Sequence, residues 1–127
     1  MSDQPTSVAS GADAIPSWSP ERMVARFGGD EALVRHLVSL FLAECPRMMT
    51  AVRDSVEHGS ADVVRRAAHA FKGSVANFTT DGVAATALEL ETIGREGRLA
   101  DAPGVFAKLE RQLAVLTNQL REFEAGR

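Results

Sequence analysis

Hydrophobic residues recur every three or four positions along most of the chain, a spacing that places them on one face of an α-helix. The pattern begins near Trp18, where Ser19 and Pro20 are typical of an N-cap and a first helical turn. Gly28 and Gly29 are expected to end this first segment. We therefore expect order to begin near Trp18 with one short helix.

A long amphipathic segment follows, with Asp30 as its expected N-cap and Gly59 as its end. Pro46 lies inside this segment and removes one backbone hydrogen bond, so we expect a bend there. The expected buried face consists of apolar residues three or four positions apart, namely Leu33, Leu37, Phe41, Cys45, Met48, Val52 and Val56.

Three further amphipathic helices are predicted, with Ser60, Asp81 and Asp101 as their N-caps. Gly97 is expected to end the second of them, and Pro103 lies in the first turn of the third. The expected buried positions are Val64, Ala68, Phe71, Val75 and Phe78 in the first, Val83, Ala87, Leu90 and Gly94 in the second, and Phe106, Leu109, Leu113, Leu116, Leu120 and Phe123 in the third.

The fold class predicted from these patterns is all-α, because no stretch alternates with the period of two that strands require. Short connections make sequential helices antiparallel, which favours an up-down-up-down four-helix bundle with a short additional N-terminal helix. Residues 1–17 contain Ser, Pro and Thr but few large apolar groups, and are predicted to form a disordered tail. The bundle domain would then occupy residues 18–127.

Composition narrows the possible functions. The chain has 127 residues, of which 45% are hydrophobic and 24% charged, as in an ordinary globular domain. Its net charge of −3 argues against a general nucleic-acid or membrane-surface binder. The single cysteine, Cys45, excludes an intramolecular disulfide, and no cluster has the spacing of metal ligands. We expect no cofactor and no metal in this chain.

The expected location is the cytoplasm. No apolar run approaches the roughly 20 residues that cross a bilayer, and the N-terminus lacks the basic and apolar regions of a secretion signal. A closed four-helix bundle buries its apolar faces by itself, so we expect a monomer.

His69 is the first candidate for chemistry. At 100° per residue it lies about 160° from the buried Phe71, so its ring is expected to face water. Gly73 lies one turn further on, although glycine inside a helix costs about 1 kcal/mol relative to alanine. Together with Ala76, this glycine leaves the imidazole unobstructed from one side.

Three cations flank this histidine: Arg65 and Arg66 in the preceding turn, and Lys72 three positions later. A free imidazole has a pKa of about 6.5, so much of it is neutral and nucleophilic at pH 7. A phosphoryl group on the ring would bring about two negative charges that these cations would hold. Such a face nevertheless occurs on many helices that are merely solvated, so the pattern alone leaves that interpretation open.

A family resemblance adds to this reading. The stretch AHAFKGSVANF, residues 68–78, resembles the signature of histidine-containing phosphotransfer (Hpt) domains, which reads roughly Ala-His-x-Leu-Lys-Gly-Ser-x-Ala-Asn-Leu. The segments 27–30, 90–91 and 94–97 are also similar, and the likeness extends over about residues 18–125. Phe71 stands where the family usually has leucine, and Thr79 where it often has glycine.

The resemblance implies that His69 accepts a phosphoryl group, through its Nε2, from a receiver-domain aspartyl phosphate and passes it to another such aspartate. Lys72 would stabilise the phosphoryl group, and Gly73 would give the receiver access. The implied partners are the receiver domains of a hybrid sensor kinase or a response regulator, which would carry Mg²⁺. The chain itself would be a phosphocarrier rather than an enzyme, since it lacks the G-x-x-x-x-G-K-[ST] loop and the length of an ATP-binding domain.

The helical pattern is also compatible with two other functions. A helix-turn-helix DNA binder is disfavoured because no Lys or Arg occurs between Gly73 and Gly94, where Glu89 and Glu91 would repel phosphates. A helical-bundle adapter without covalent phosphotransfer shares every argument about the fold and stays open as the alternative.

Overall fold

The computed structural model describes residues 18–79 and 82–126, and these contain helices and turns but no strand. A one-turn 3₁₀ helix, Leu99–Asp101, precedes the last α-helix. The α-helices of the described residues are α1 (Pro20–Arg26), α2 (Glu31–His58), α3 (Ala61–Val75), α4 (Val83–Glu96) and α5 (Ala102–Glu124). The predicted disordered tail, residues 1–17, lies outside the described residues, and the boundary of the domain stays a prediction.

The four longer helices form a closed bundle. In it α2 packs against α3, α3 against α4, α4 against α5, and α5 returns to α2. Consecutive helices are joined by short connections, so neighbours run antiparallel. The predicted all-α class and four-helix bundle are confirmed, and none of the helices in the described ranges is long and apolar enough to cross a membrane.

Polar side chains cap the N-termini of three helices, as predicted. Ser19, Asp30 and Ser60 each occupy an N-cap, and each side-chain oxygen accepts a hydrogen bond from the backbone N–H three residues later. These bonds satisfy donors that the first helical turn leaves free. The caps therefore define where α1, α2 and α3 begin.

The last two helices begin differently. Gly82 holds the N-cap position of α4 with a φ of 53°, which favours glycine, and no side chain caps the helix. Asp81, the cap expected from the sequence, lies outside the described residues. Asp101 does precede α5, but its carboxylate accepts a hydrogen bond from Arg98 Nη1 at 2.7 Å instead of capping the helix.

Every position predicted to be buried in the last three helices is buried, although Phe78 lies beyond the end of α3 at Val75. The prediction for α2 is partly wrong. Phe41, Cys45 and Val52 are buried as expected, and Leu37, Met48 and Val56 are partly buried and pack against the core. Leu33, however, is 39% exposed, and Val34, Val38 and Met49 are core residues that the prediction left out. Because α2 contacts both α3 and α5, its buried face is wider than a single row of residues three or four positions apart. Where two apolar residues are adjacent in the sequence, their spacing does not show which of them is buried. The helix continues through Pro46, where the bend stays a prediction.

Gly94 brings α4 unusually close to α3. A β-carbon built on Gly94 would lie 2.5 Å from the backbone nitrogen of Arg65 and 2.7 Å from the carbonyl oxygen of Ala61. Only a residue without a side chain fits between these backbone atoms. This close approach lies between the two helices that carry the candidate site.

Candidate functional site

His69 lies on the exposed side of α3, and 65% of its side chain is accessible to solvent. The buried side of the same helix is formed by Val64, Ala68, Phe71 and Val75. The orientation predicted from the helical wheel is therefore confirmed. The imidazole lies at the surface of the bundle, beside α4.

A buried carboxylate on α4 contacts this ring. Glu91 Oε2 lies 3.1 Å from His69 Nδ1, and the Glu91 side chain is only 7% exposed. Lys72 Nζ forms an ion pair with the other carboxylate oxygen at 2.8 Å. Arg95, one turn further along α4, donates to Glu91 Oε2 at 3.2 Å. Glu91 thus joins the imidazole to two cations.

The pKa of Glu91 reflects opposing effects. Burial, the largest of them, raises the pKa because it disfavours the charged form. The contacts from Lys72 and His69 favour that form, and together they outweigh burial, so the pKa of Glu91 lies below its ordinary value. Glu91 is consequently an anion at neutral pH.

Because Glu91 is an anionic hydrogen-bond acceptor beside Nδ1, it determines which tautomer the neutral His69 ring adopts. A carboxylate has no proton to donate, so His69 Nδ1 carries the hydrogen and Nε2 carries the lone pair. In the described part of the chain Nε2 has no hydrogen-bond partner. The outward-facing histidine therefore presents one free nucleophilic nitrogen.

The approach to the ring is open at Gly73. No atom lies within 4 Å of the position that a β-carbon would take there. Ala70 and Ala76, on the same exposed side of α3, are also small. Gly73 thus differs from Gly94, since open space lies beside its β-carbon position, whereas the backbone of another helix lies beside that of Gly94.

Arg65 and Arg66 are both paired with Asp62, in the first turn of α3. Arg65 Nη2 lies 2.7 Å from one carboxylate oxygen and Arg66 Nε 2.9 Å from the other. The hydrogen bond from Arg65, the largest effect, and the charges of both arginines lower the pKa of Asp62. Both guanidinium groups therefore contact a carboxylate that lies two turns before His69. That Arg65 and Arg66 help to hold a phosphoryl group on His69 stays a prediction.

Glu91 and Arg95 were missed as site residues by the sequence analysis. Two sequence signals included them: the family resemblance of segments 90–91 and 94–97, which assigned them no role, and their i, i+4 spacing, which is common on exposed helix faces. Glu91 is buried because α3 and α4 pack closely. The order of apolar and polar residues within α4 does not predict this packing.

No candidate metal site accompanies this cluster. Across residues 18–79 and 82–126, no group of three or more His, Cys, Asp or Glu side chains is arranged to hold a metal ion. The site consists of one imidazole, one buried carboxylate, one ammonium and one guanidinium group.

Comparisons with known proteins agree on one family. The Hpt domain family model matches residues 36–124. A comparison with curated proteins found no match. Among solved structures, the crystal structure of histidine-containing phosphotransfer protein B (HptB) from Pseudomonas aeruginosa PAO1 is similar, with a TM-score of 0.77 and 21% sequence identity, over 93% of this chain and 99% of that one. At this identity the likeness establishes the fold. Because the family model covers well over half of the chain, the protein belongs to the Hpt domain family.

Proposed function

We propose that His69 accepts a phosphoryl group on Nε2 from a receiver-domain aspartyl phosphate and passes it to the aspartate of another receiver domain. Hpt domains are histidine phosphotransfer intermediaries of phosphorelays that interact with receiver domains. One observation carries the assignment to His69: its exposed ring has Nδ1 bound to an ionised, buried carboxylate, and Nε2 has no hydrogen-bond partner among residues 18–79 and 82–126.

The transfer exchanges one bond for another. The lone pair of Nε2 attacks phosphorus, the bond from phosphorus to the aspartyl oxygen breaks, and its electron pair stays on the aspartate. The ring becomes an N-phosphoimidazolium that keeps its proton on Nδ1, and the reverse sequence passes the group on. Catalysis of such a step is mainly positioning and electrostatic stabilisation. We expect Mg²⁺ to be carried by the partner domain.

Lys72 has a suitable place for stabilising the transferred group. Its ammonium group is compact, has three donors and lies 2.8 Å from Glu91 Oε1. In addition, 29% of this side chain is accessible to solvent. Glu91 with Lys72 and Arg95 carries a net charge of +1, which favours the arrival of an anion.

The receiver is expected to contact α2 as well as α3. A shallow, largely apolar groove between these helices includes Leu37, Leu40 and Met48 on α2, and it reaches α3 at Ser74. Leu40 is 49% exposed. Exposed apolar area of this kind suits a transient protein contact whose encounter rate depends on charge.

A phosphorylation assay tests the proposal. The protein is incubated with a phosphorylated receiver domain, and acid-labile, alkali-stable label on the chain is measured. We expect labelling of the wild type and none of His69→Gln, with circular dichroism as the control for folding. A folded wild type that takes no label from any of a mixed set of receivers, or a His69→Gln variant that is labelled equally, would favour the adapter alternative.

The remaining features of the proposal concern the cellular setting. We expect the chain to obtain phosphoryl groups only from partners, without binding ATP itself. The monomeric state and the cytoplasmic location likewise stay predictions from the sequence, as do the roles of hybrid sensor kinases and response regulators as partners.

A further inference from the structure

We propose that the cavity between α2 and α5 binds a small monocarboxylate with an unbranched alkyl chain, whose chain lies in the cavity and whose carboxylate contacts Arg121. Octanoate is the probe for this class of ligand. The inference does not depend on the phosphotransfer proposed for His69, because the residues that line the cavity belong to α2 and α5, whereas the candidate site lies on α3 and α4.

The cavity is an open depression of about 260 Å³ where α2 packs against α5. The buried part of its lining is apolar and consists of Cys45, Met49 and Leu113. Pro46 on α2 and Ala114 on α5 also line it, and these two short residues are exposed. An alkyl chain placed here would remove apolar surface of both the ligand and the protein from water.

The volume of the cavity limits the size of the ligand. A water molecule takes about 30 Å³ in the liquid, and a methylene group is of similar size. The cavity therefore has room for about nine non-hydrogen atoms. It is smaller than the sites of about 300–1,000 Å³ that hold drug-sized molecules. The chain of octanoate fits, with its carboxylate at the open side.

Arg121 gives the lining its net charge. Among residues 18–79 and 82–126, no carboxylate forms an ion pair with this guanidinium group. The other two charged groups of the lining, Arg53 and Glu110, lie 3.0 Å apart and neutralise each other. Two cations and one anion leave a charge of +1 beside an apolar surface, which favours a ligand with one negative charge.

Cys45 does not supply the missing anion. Burial, the largest effect, raises the pKa of its thiol above the ordinary value, although the positive charge of Arg121 lowers it. The thiol is therefore neutral at pH 7 and contributes apolar surface to the cavity. The charge of Arg121 consequently remains available to an anion from outside the chain.

The surroundings of the cavity favour a small ligand over a protein partner. A stable protein interface buries about 1,200–2,000 Å², so its apolar surface would have to continue beyond so small a depression. The large apolar side chains that are most exposed among the described residues lie elsewhere; they are Leu33, Leu40, Val63, Leu88 and Leu99.

NMR spectra of the nitrogen-15-labelled protein, recorded with increasing octanoate, test the proposal. A ligand of this size is expected to bind with a Kd between about 0.1 and 10 mM. We expect the amide signals of Cys45, Met49 and Ala114 to shift and saturate, while that of His69 stays unchanged. Hexanoate, which is two methylene groups shorter, should bind about 15-fold more weakly. Absence of shifts well above the weakest expected Kd would refute the proposal.

Arg121→Gln tests the contribution of charge. This variant should bind octanoate about tenfold more weakly or less tightly still, because it loses a charge-assisted hydrogen bond. Arg111→Gln is the matched control, since Arg111 is also an exposed arginine of α5 but does not line the cavity. Octylammonium has the same chain and the opposite charge, and it should bind the wild type at least about tenfold more weakly than octanoate. Equal affinities in either comparison would refute an anion site at Arg121.

Ala114→Leu tests the cavity itself. Because Ala114 is exposed, a longer side chain can enter the cavity without entering the core, and circular dichroism should show an intact fold. Octanoate binding should be lost. Binding at the wild-type affinity would place the ligand elsewhere and overturn the proposal. Signals of the lining that respond to protein concentration instead of octanoate would also overturn it, since the occupant would then be a second copy of the chain.

Discussion

The close contact at Gly94 makes a quantitative prediction for Gly94→Ala. The new β-carbon would lie 2.5 Å from Arg65 N, 2.7 Å from Ala61 O and 2.9 Å from Arg65 Cα. Non-bonded carbon atoms prefer about 3.5–4.0 Å, so α3 and α4 must separate by about 1 Å. All three neighbours are backbone atoms, which no side-chain rotation can remove. Overpacking of this kind costs about 1–3 kcal/mol.

Gly73→Ala provides a matched control on the neighbouring helix. Both glycines lie inside helices, and replacing either by alanine gains about 1 kcal/mol of helix propensity. Gly73 has no atom within 4 Å of its β-carbon position, so its replacement adds no clash. The difference in unfolding free energy between the two variants therefore isolates the cost of the contact, about 1–3 kcal/mol.

Urea unfolding followed by circular dichroism measures this difference. In thermal unfolding we expect Gly94→Ala to melt below Gly73→Ala by about 3–6 °C for each kcal/mol. Equal stability of the two variants would refute the account of how α3 and α4 pack.

The same substitution should also disturb the site. A separation of about 1 Å would lengthen the 3.1 Å contact between Glu91 and His69 beyond hydrogen-bonding distance. Phosphotransfer from a receiver should then slow by up to about 100-fold in a protein that remains folded. If Gly94→Ala is less stable but transfers phosphate at the wild-type rate, the contact between Glu91 and His69 does not depend on the packing at Gly94.

Three further predictions follow from the geometry of the site. Lys72→Ala should slow receiver-dependent phosphorylation measurably while circular dichroism shows an intact fold; unchanged kinetics would exclude Lys72 from the transfer. Since the pKa of Glu91 is lower in the folded protein than its ordinary value of 4.5, its ionised form stabilises the fold above that pH, and the contribution is lost as pH falls through the folded pKa. Urea unfolding between pH 3 and pH 7 should accordingly show a stability advantage of the wild type over Glu91→Gln that shrinks below about pH 4.5, and an advantage constant with pH would contradict the pKa argument. Leu40→Ser should weaken transfer from receivers but leave phosphorylation by phosphoramidate unchanged, and an equal loss in both assays would argue against α2 as part of the receiver contact.

The helices themselves were readable from local patterns. A serine or aspartate before an apolar repeat has the same capping chemistry in any tertiary context, which is why the starts at Ser19, Asp30 and Ser60 are confirmed. The wheel of α3 likewise places His69 away from Phe71 with no knowledge of the other helices, because the angle between two side chains of one helix depends only on their spacing.

Packing between helices decided the rest. Whether Leu33 or Val34 enters the core depends on the angle at which α2 meets both α3 and α5, and the local sequence accepts either. In the sequence, Glu91 cannot be distinguished from an exposed helical glutamate. In the structure α4 lies close to α3 at Gly94, and the Glu91 carboxylate contacts the His69 imidazole and the Lys72 ammonium group. The exposed position of His69 thus depends on the sequence of α3 alone, whereas the contact between Glu91 and His69 Nδ1 depends on how α3 packs against α4.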